Sequence, residues 1–421
     1  MEEFSSNKLR ELLKDKANMD QNCLMIPLFS FEIVDEVWDS FYRFDSNVEN
    51  SEDSELLSFF QFLLIAFGAE GSFAARIRNG EVHHPLPCWT KSDTLIITPL
   101  FEKMPYGVVS QLVEALSIRR IVVEAAGALP AVFDMDFNLM VSQIVSVEFK
   151  DLESDYQLNS TLYCSPYLEE LSFICVKGDV LTRDFSRLRG LRKLIIVNCR
   201  LKFSIPQLPL SLEYFKLSHS RLGSHKFTIF PKNIRVLDLS HNEIKEVVGA
   251  ESLALMHSLD LSYNQLGFLD LGSLPASLKE LNLRSNRIER IVGNWDGREN
   301  LHFLDLGHNA LNEFPSGLER LTGLKELLLS NNFLEELLVD LHALTQLERL
   351  DLRKNRLRSL PTSLSEINRL LYLDLEDNLL VEVFELLTKA NWDQATVRLR
   401  GNPLHQERRK LSTLTHQKIE L

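Results

Sequence analysis

From residue 234 to residue 404, apolar side chains return at one fixed spacing. The pattern LxxLxLxxNxL appears as Leu278-Leu281-Leu283-Asn286-Ile288, then as Leu301-Leu304-Leu306-Asn309-Leu311 and Leu324-Leu327-Leu329-Asn332-Leu334. Leu347-Leu350-Leu352-Asn355-Leu357 and Leu370-Leu373-Leu375-Asn378-Leu380 continue it. Ile234-Leu237-Leu239-Asn242-Ile244 and Met256-Leu259-Leu261-Asn264-Leu266 precede it, and Val397-Leu399-Asn402-Leu404 closes it. Successive copies start 22 to 24 residues apart. Within each copy the paired apolar residues two apart predict a short strand with both side chains on one face. The rest of the copy predicts a return path. One such unit cannot bury its leucines alone, so neighbouring units must stack and share a core. The asparagine stands where the chain leaves the strand, and its amide suits backbone groups that the turn leaves unpaired.

This spacing resembles the leucine-rich-repeat family over more than half of the chain. The resemblance implies an α/β leucine-rich-repeat solenoid, a curved parallel sheet in a horseshoe, and the ends predict an intracellular type with an N-terminal helical cap. Upstream the pattern decays. Leu212-Phe215-Leu217 carries Ser220 in place of the asparagine, Leu191-Leu194-Ile196 carries Cys199, and Leu168-Leu171-Phe173 carries Val176. Ile144-Val147-Phe149, Ile118-Ile121-Val123 and Leu95-Ile97 keep only the apolar spacing. The return segments differ in style. FPSGLERL and LPTSLSEI predict short helices opened by proline, whereas LPLSLEYF, FPKNIRVL and LPASLKEL predict tight extended returns.

The expected division is an N-terminal helical region over 1–91, degenerate repeats over 92–167, repeats over 168–404 and a C-terminal cap over 405–421. In the first region, Leu9, Leu12 and Leu13 mark a helix with Ser5 or Ser6 as N-cap. Val34, Val37, Trp38 and Phe41 mark a second, and the apolar run from Leu56 to Ala69 a third. The segment over 25–44 also resembles an F-box, with its acidic-apolar pair Glu32-Ile33 set further from the proline than in that family. The tail GNPLHQERRKLSTLTHQKIEL reads as a polar, helical cap.

Charge and chemistry narrow the function. A net charge of -13 disfavours phosphate backbones and anionic membranes as partners. The five cysteines form no CxxC pair, the N-terminus has no apolar signal core, and the longest apolar run is too short to span a bilayer, so a cytoplasmic or nuclear protein is expected. The sequon Asn159-Ser160-Thr161 is then idle. No phosphate-binding loop, nucleophile elbow or HExxH is present. His83, His84 and Cys88 lack a fourth metal ligand at suitable spacing. Neither catalysis nor a cofactor or metal is therefore expected.

What remains is surface. Residues between and beside the strand leucines point out of the expected concave face. One column is Asp238, Asp260, Asn282, Asp305, Leu328, Asp351 and Asp374, and much of it is compatible with the ordinary form of the repeat. A second runs His219, His241, Tyr263, Ser285, His308, Asn331, Lys354 and Asp377. Aromatic residues and arginine on such a face are the residue types of binding hot spots. The candidate partner-binding residues are Tyr263, Phe303, Asp305, His308, Arg349, Asp351, Arg353, Tyr372 and Asp374. The expected function is a non-catalytic protein-interaction scaffold or adaptor. The alternatives are a substrate-recognition subunit of a ubiquitin ligase, a regulator of a phosphatase or small GTPase, and a bacterial effector acting in host cells.

Overall fold

A computed structural model describes residues 88–91, 94–97, 119–127, 144–152, 166–176, 184–199, 205, 207–223, 227–392, 395–414 and 418–421. The expected N-terminal helices, the segment over 25–44, His83, His84 and the sequon lie outside them. The chain forms two compact units, Met1–Ser211 and Leu212–Leu421.

In the first unit β1 (Cys88–Lys91) pairs antiparallel with β2 (Thr94–Ile97). From β2 onward all pairing is parallel, through β3 (Arg120–Gly127), β4 (Ser146–Leu152), β5 (Glu170–Ile174) and β6 (Lys193–Val197). Leu95, Ile121, Val147, Leu171 and Leu194 stand in one register row. Phe149 and Phe173 are buried and stacked at 5.4 Å, so aromatic rings fill space that leucines fill in more regular copies. Cys199 is buried at the asparagine position. Its thiol donates toward Val197 O (3.3 Å) and Phe173 O (3.7 Å), and burial pushes it up to about 11.

The second unit is a solenoid of parallel strands with little helix. Its main sheet runs β7 (Tyr214–Ser218), β8 (Val236–Asp238), β9 (Ser258–Asp260), β11 (Glu280–Asn282), β13 (Phe303–Asp305), β14 (Glu326–Leu328), β15 (Arg349–Asp351), β16 (Tyr372–Asp374), β17 (Thr396–Arg398) and β18 (Lys418–Glu420). The short pair β10 (Phe268–Asp270) and β12 (Arg290–Val292) lies on return segments. Both proline-opened returns curl into 3-10 turns, Leu318–Arg320 and Thr362–Glu366, and neither reaches a full α-helix. α1 (Phe384–Lys389) and α2 (Arg408–Leu411) are the α-helices among the described residues. The polar tail after the last motif thus holds a short helix and one more strand, with Ile419 opposite Val397.

The motif leucines form the core, with Leu281, Leu283, Leu304, Leu306, Leu327, Leu329, Leu350 and Leu352 at or near zero exposure. Each contributes about 2 kcal/mol by burial, which drives stacking. The asparagines fix its register. Asn309 Nδ2 donates to Leu306 O in its own copy and to Leu283 O in the preceding one, both at 3.0 Å, and its Oδ1 accepts from Ile288 N (3.0 Å). Asn242, Asn264, Asn286, Asn332, Asn355, Asn378 and Asn402 repeat the bond to the preceding copy. Where Ser220 stands instead, its hydroxyl reaches only Ser218 O, and Asn242 Oδ1 accepts from both Ser220 N and Leu222 N.

Candidate functional site

The alternation of each strand turns its leucines inward and leaves the residues between them on the opposite face of the sheet. The aspartates of that outer column work mainly on their own backbone. Asp238, Asp260, Asp305, Asp351 and Asp374 each accept through Oδ1 from the N–H two residues on, at 2.7 to 3.1 Å. Asn282 does the same for Arg284 N (3.1 Å). Asp305 and Asp374 are only 5% and 3% exposed. Two carboxylates expected to meet a partner are therefore turn-forming residues with little surface to offer. Burial pushes the carboxyls of Asp305 and Asp351 above the usual range despite these bonds. Asp238 shows the opposite balance. Burial opposes its charge, but the bonds from Lys216 (2.6 Å) and Ser240 bring its pKa below the usual value.

The column containing Tyr263 and His308 lies just past the C-terminal ends of the strands, at the edge of that face. His219, His241, Tyr263, Ser285, His308, Asn331, Lys354 and Asp377 all have φ between 55° and 57°, or 54° for the last two. This left-handed conformation is costly for residues with a side chain. It recurs because it aims each N–H at the next copy, as in Tyr263 N to Arg284 O (2.8 Å), His308 N to Ser330 O (2.7 Å) and Lys354 N to Glu376 O (2.8 Å). The side chains then stand above one another. The rings of His219 and His241 stack at 4.0 Å, and those of His241 and Tyr263 at 4.1 Å and 8°. Tyr263 is 46% exposed at the end of this stack. Burial, followed by the neighbouring His219, holds His241 below the usual histidine value.

Tyr372 and Arg349 come together in a second cluster. The Tyr372 ring carries the Arg349 guanidinium at 4.2 Å and that of Arg398 at 5.3 Å, and its hydroxyl donates to Asp374 Oδ2 (2.9 Å). Arg398 is held in turn by Glu420 (2.9 Å). Burial, and then the bond to Asp374, raise the Tyr372 phenol, so it is not set up as a base at neutral pH. The ring is half-buried, as is Phe303 on β13.

Arg353 belongs to a third cluster with His308. Burial first, and then Arg284, Arg353 and Lys354, oppose protonation of His308, while Asp351 favours it. Arg284 reaches Asp305 at 3.7 Å, and Arg353 Nε is buried without a hydrogen-bond partner. Sequence reasoning missed Arg284 and Arg398 as site residues. Arg398 sits in the last, eroded copy, where arginine replaces the column's aspartate, and that substitution was the available signal.

No family model matches the chain. A 143-residue stretch is 40% identical to lumican of Oryctolagus cuniculus and covers 32% of this chain and 70% of that protein. Human lumican is 40% identical over 136 residues, and the chain spans only 39% of its length. Among solved structures, an internalin from Listeria monocytogenes aligns with a TM-score of 0.56 at 18% identity, covering 80% of this chain and 96% of that one. A leucine-rich-repeat protein of Leptospira interrogans aligns with a TM-score of 0.54 at 21% identity, covering 76% and 93%.

Proposed function

The chain belongs to the leucine-rich-repeat family, and we propose that it is a non-catalytic scaffold or adaptor that binds a partner protein on the outer strand face of its second unit. The observation that carries this reading is the cluster at Tyr372. An aromatic ring held between two guanidiniums, with its hydroxyl anchored on a buried aspartate, has already lost its rotamer freedom. A partner docking there forfeits little further entropy, and tyrosine with arginine is the usual composition of an interface hot spot. Tyr263, fixed on its ring stack, is a second anchor of the same kind. Two ionisable groups, one in each unit, argue against chemistry. The Tyr372 phenol is pushed up, and the buried Cys199 thiol, at about 11, is far from a nucleophilic thiolate. We place the protein in a reducing compartment of the cytosol or nucleus, a reading supported by the free thiols of Cys175 and Cys199.

The test is parallel affinity capture with the full chain and with the triple variant Tyr263→Ala, Phe303→Ala, Tyr372→Ala. The expected result is a partner retained by the parent and lost by a variant with an unchanged circular-dichroism melt. A partner retained equally by both would refute the strand face as the binding surface.

A further inference from the structure

We propose that the missing rung at Ser285, in the ring ladder of the second unit, is a slot for one aromatic side chain of the partner protein. That ring stacks on the free face of Tyr263, on the side toward His308. The slot rests on the reading of the strand face as the binding surface and names what the partner puts there.

The ladder is built by the backbone. His219, His241, Tyr263, Ser285 and His308 occupy the same left-handed place in five successive copies, with φ of 55° or 56°. Their amides reach the next copy in the same way, with Ser285 N bound to Gly307 O at 2.9 Å and His308 N to Ser330 O at 2.7 Å. Each Cβ therefore leaves the chain at a matching place, one copy further along. Three of the five residues carry rings, and these stack at 4.0 and 4.1 Å. Then the ladder stops. Ser285 has no ring to offer, while His308, one step further, has one. Two steps of the ladder separate Tyr263 from the level of His308, about 8 Å at the observed spacing. One planar group halfway would lie about 4 Å from either side, within the reach of ring stacking.

The free face of Tyr263 is open. One face of its ring is covered by His241, and the residue is 46% exposed. Phe268, Phe333 and Tyr372 each carry a guanidinium of their own chain over the ring, and among the described residues Tyr263 carries none. The charges beside the slot select against an ionic ligand. Arg284 stands next to Ser285, and its guanidinium leans over Gly307 toward Asp305 at 3.7 Å. Asp260 accepts from Ser262 N (2.8 Å) and from Asn282 Nδ2 (3.0 Å). Both signs are present and both have partners, so no unpaired charge is left to attract an ion. A neutral, polarisable ring meets the Tyr263 face without displacing any of these bonds. A nucleobase is also planar, but it brings phosphate to a chain of net charge -13. An aromatic side chain of a protein fits both conditions.

The probe is N-acetyl-tryptophanamide, titrated into the full chain with its histidine rings labelled with carbon-13 and read by NMR. The His308 ring protons are expected to move upfield and to saturate, while those of the exposed His342 stay in place. Binding should be roughly two- to tenfold tighter than that of N-acetyl-leucinamide, the margin an aromatic pair adds beyond burial. Ser285→Tyr supplies the missing rung on a backbone that Tyr263 already tolerates. It should melt at or above the parent, lose the shift at His308 and lose the captured partner. Glu313→Tyr, a ring added at an exposed place outside the ladder, should bind like the parent. Tyr263→Ala removes one wall and should reduce binding to the level of the leucine probe, whether or not the filled rung packs well. Equal binding of the two amides, equal shifts at His308 and His342, or undiminished binding by Tyr263→Ala or by a folded Ser285→Tyr overturns the slot. So does a shift produced by adenosine and not by the tryptophan probe, which would assign the gap to a nucleobase. If the tryptophan probe fails while the Tyr263, Phe303, Tyr372 variant still loses its protein partner, the slot falls and the strand-face reading stands.

Discussion

Single residues on this face answer to the backbone before they answer to any partner. Asp305 illustrates it, because the same molecule offers a comparison. Asn282 occupies the equivalent place and caps its turn without a charge. Asp305→Asn is therefore expected to melt at or above the parent at pH 7, since it keeps the acceptor for Gly307 N–H and removes a carboxylate whose charge burial opposes. Asp305→Ala, which strands a buried donor, should cost about 1–3 kcal/mol. Denaturant melts of the two variants check the pair, and equal losses would contradict the turn-forming role. His241 makes a pH-dependent prediction. Its pKa is lowered in the folded chain, by burial first, so the unfolded chain takes up the proton at higher pH. Its contribution is complete above the ordinary value of 6.5 and is lost as pH falls through the lowered folded value. His241→Phe keeps a ring between His219 and Tyr263, and its stability should fall less steeply with pH in that window. An identical slope would mean that His241 does not titrate differently in the fold.

At the scale of elements, the repeat was legible because burial and register depend on the same letters. A leucine pair two apart is a strand with one inward face, and an asparagine after it has one bonding solution, which Asn309 and its counterparts adopt. The site was less legible for the same reason. An aspartate that caps a turn and an aspartate that meets a ligand are written identically, and burial alone separates them. The left-handed column carries His, Tyr, Ser, Asn, Lys and Asp, with no run of glycine to mark its backbone. The tail was harder still, since its strand holds one inward residue, Ile419, and has no motif around it. That tail also latches α1. The Glu407 carboxylate accepts from Val383 N (2.6 Å) and Phe384 N (2.9 Å), two donors that the start of a helix leaves unpaired. Glu407→Ala should lower stability by about 1–3 kcal/mol and speed hydrogen exchange at both amides. Unchanged exchange there would show that the latch is not held in solution.

For the whole molecule, architecture and use are separable. Stacked leucines and the asparagine ladder hold the second unit together from within, so the outer strand face is free to carry side chains chosen for something else. What it carries is two rigid aromatic stations, at Tyr263 and Tyr372, with the cations of Arg284, His308's neighbours and Arg349 between and beside them. Covalent surface footprinting of the full chain, alone and saturated with the partner it captures, tests this account most directly. It predicts protection concentrated at Tyr263, Phe303, Arg349, Arg353, Tyr372 and Arg398, with the return segments at Leu338, Val381 and Arg358 labelled as before. Protection of the return segments with an unchanged strand face would contradict it.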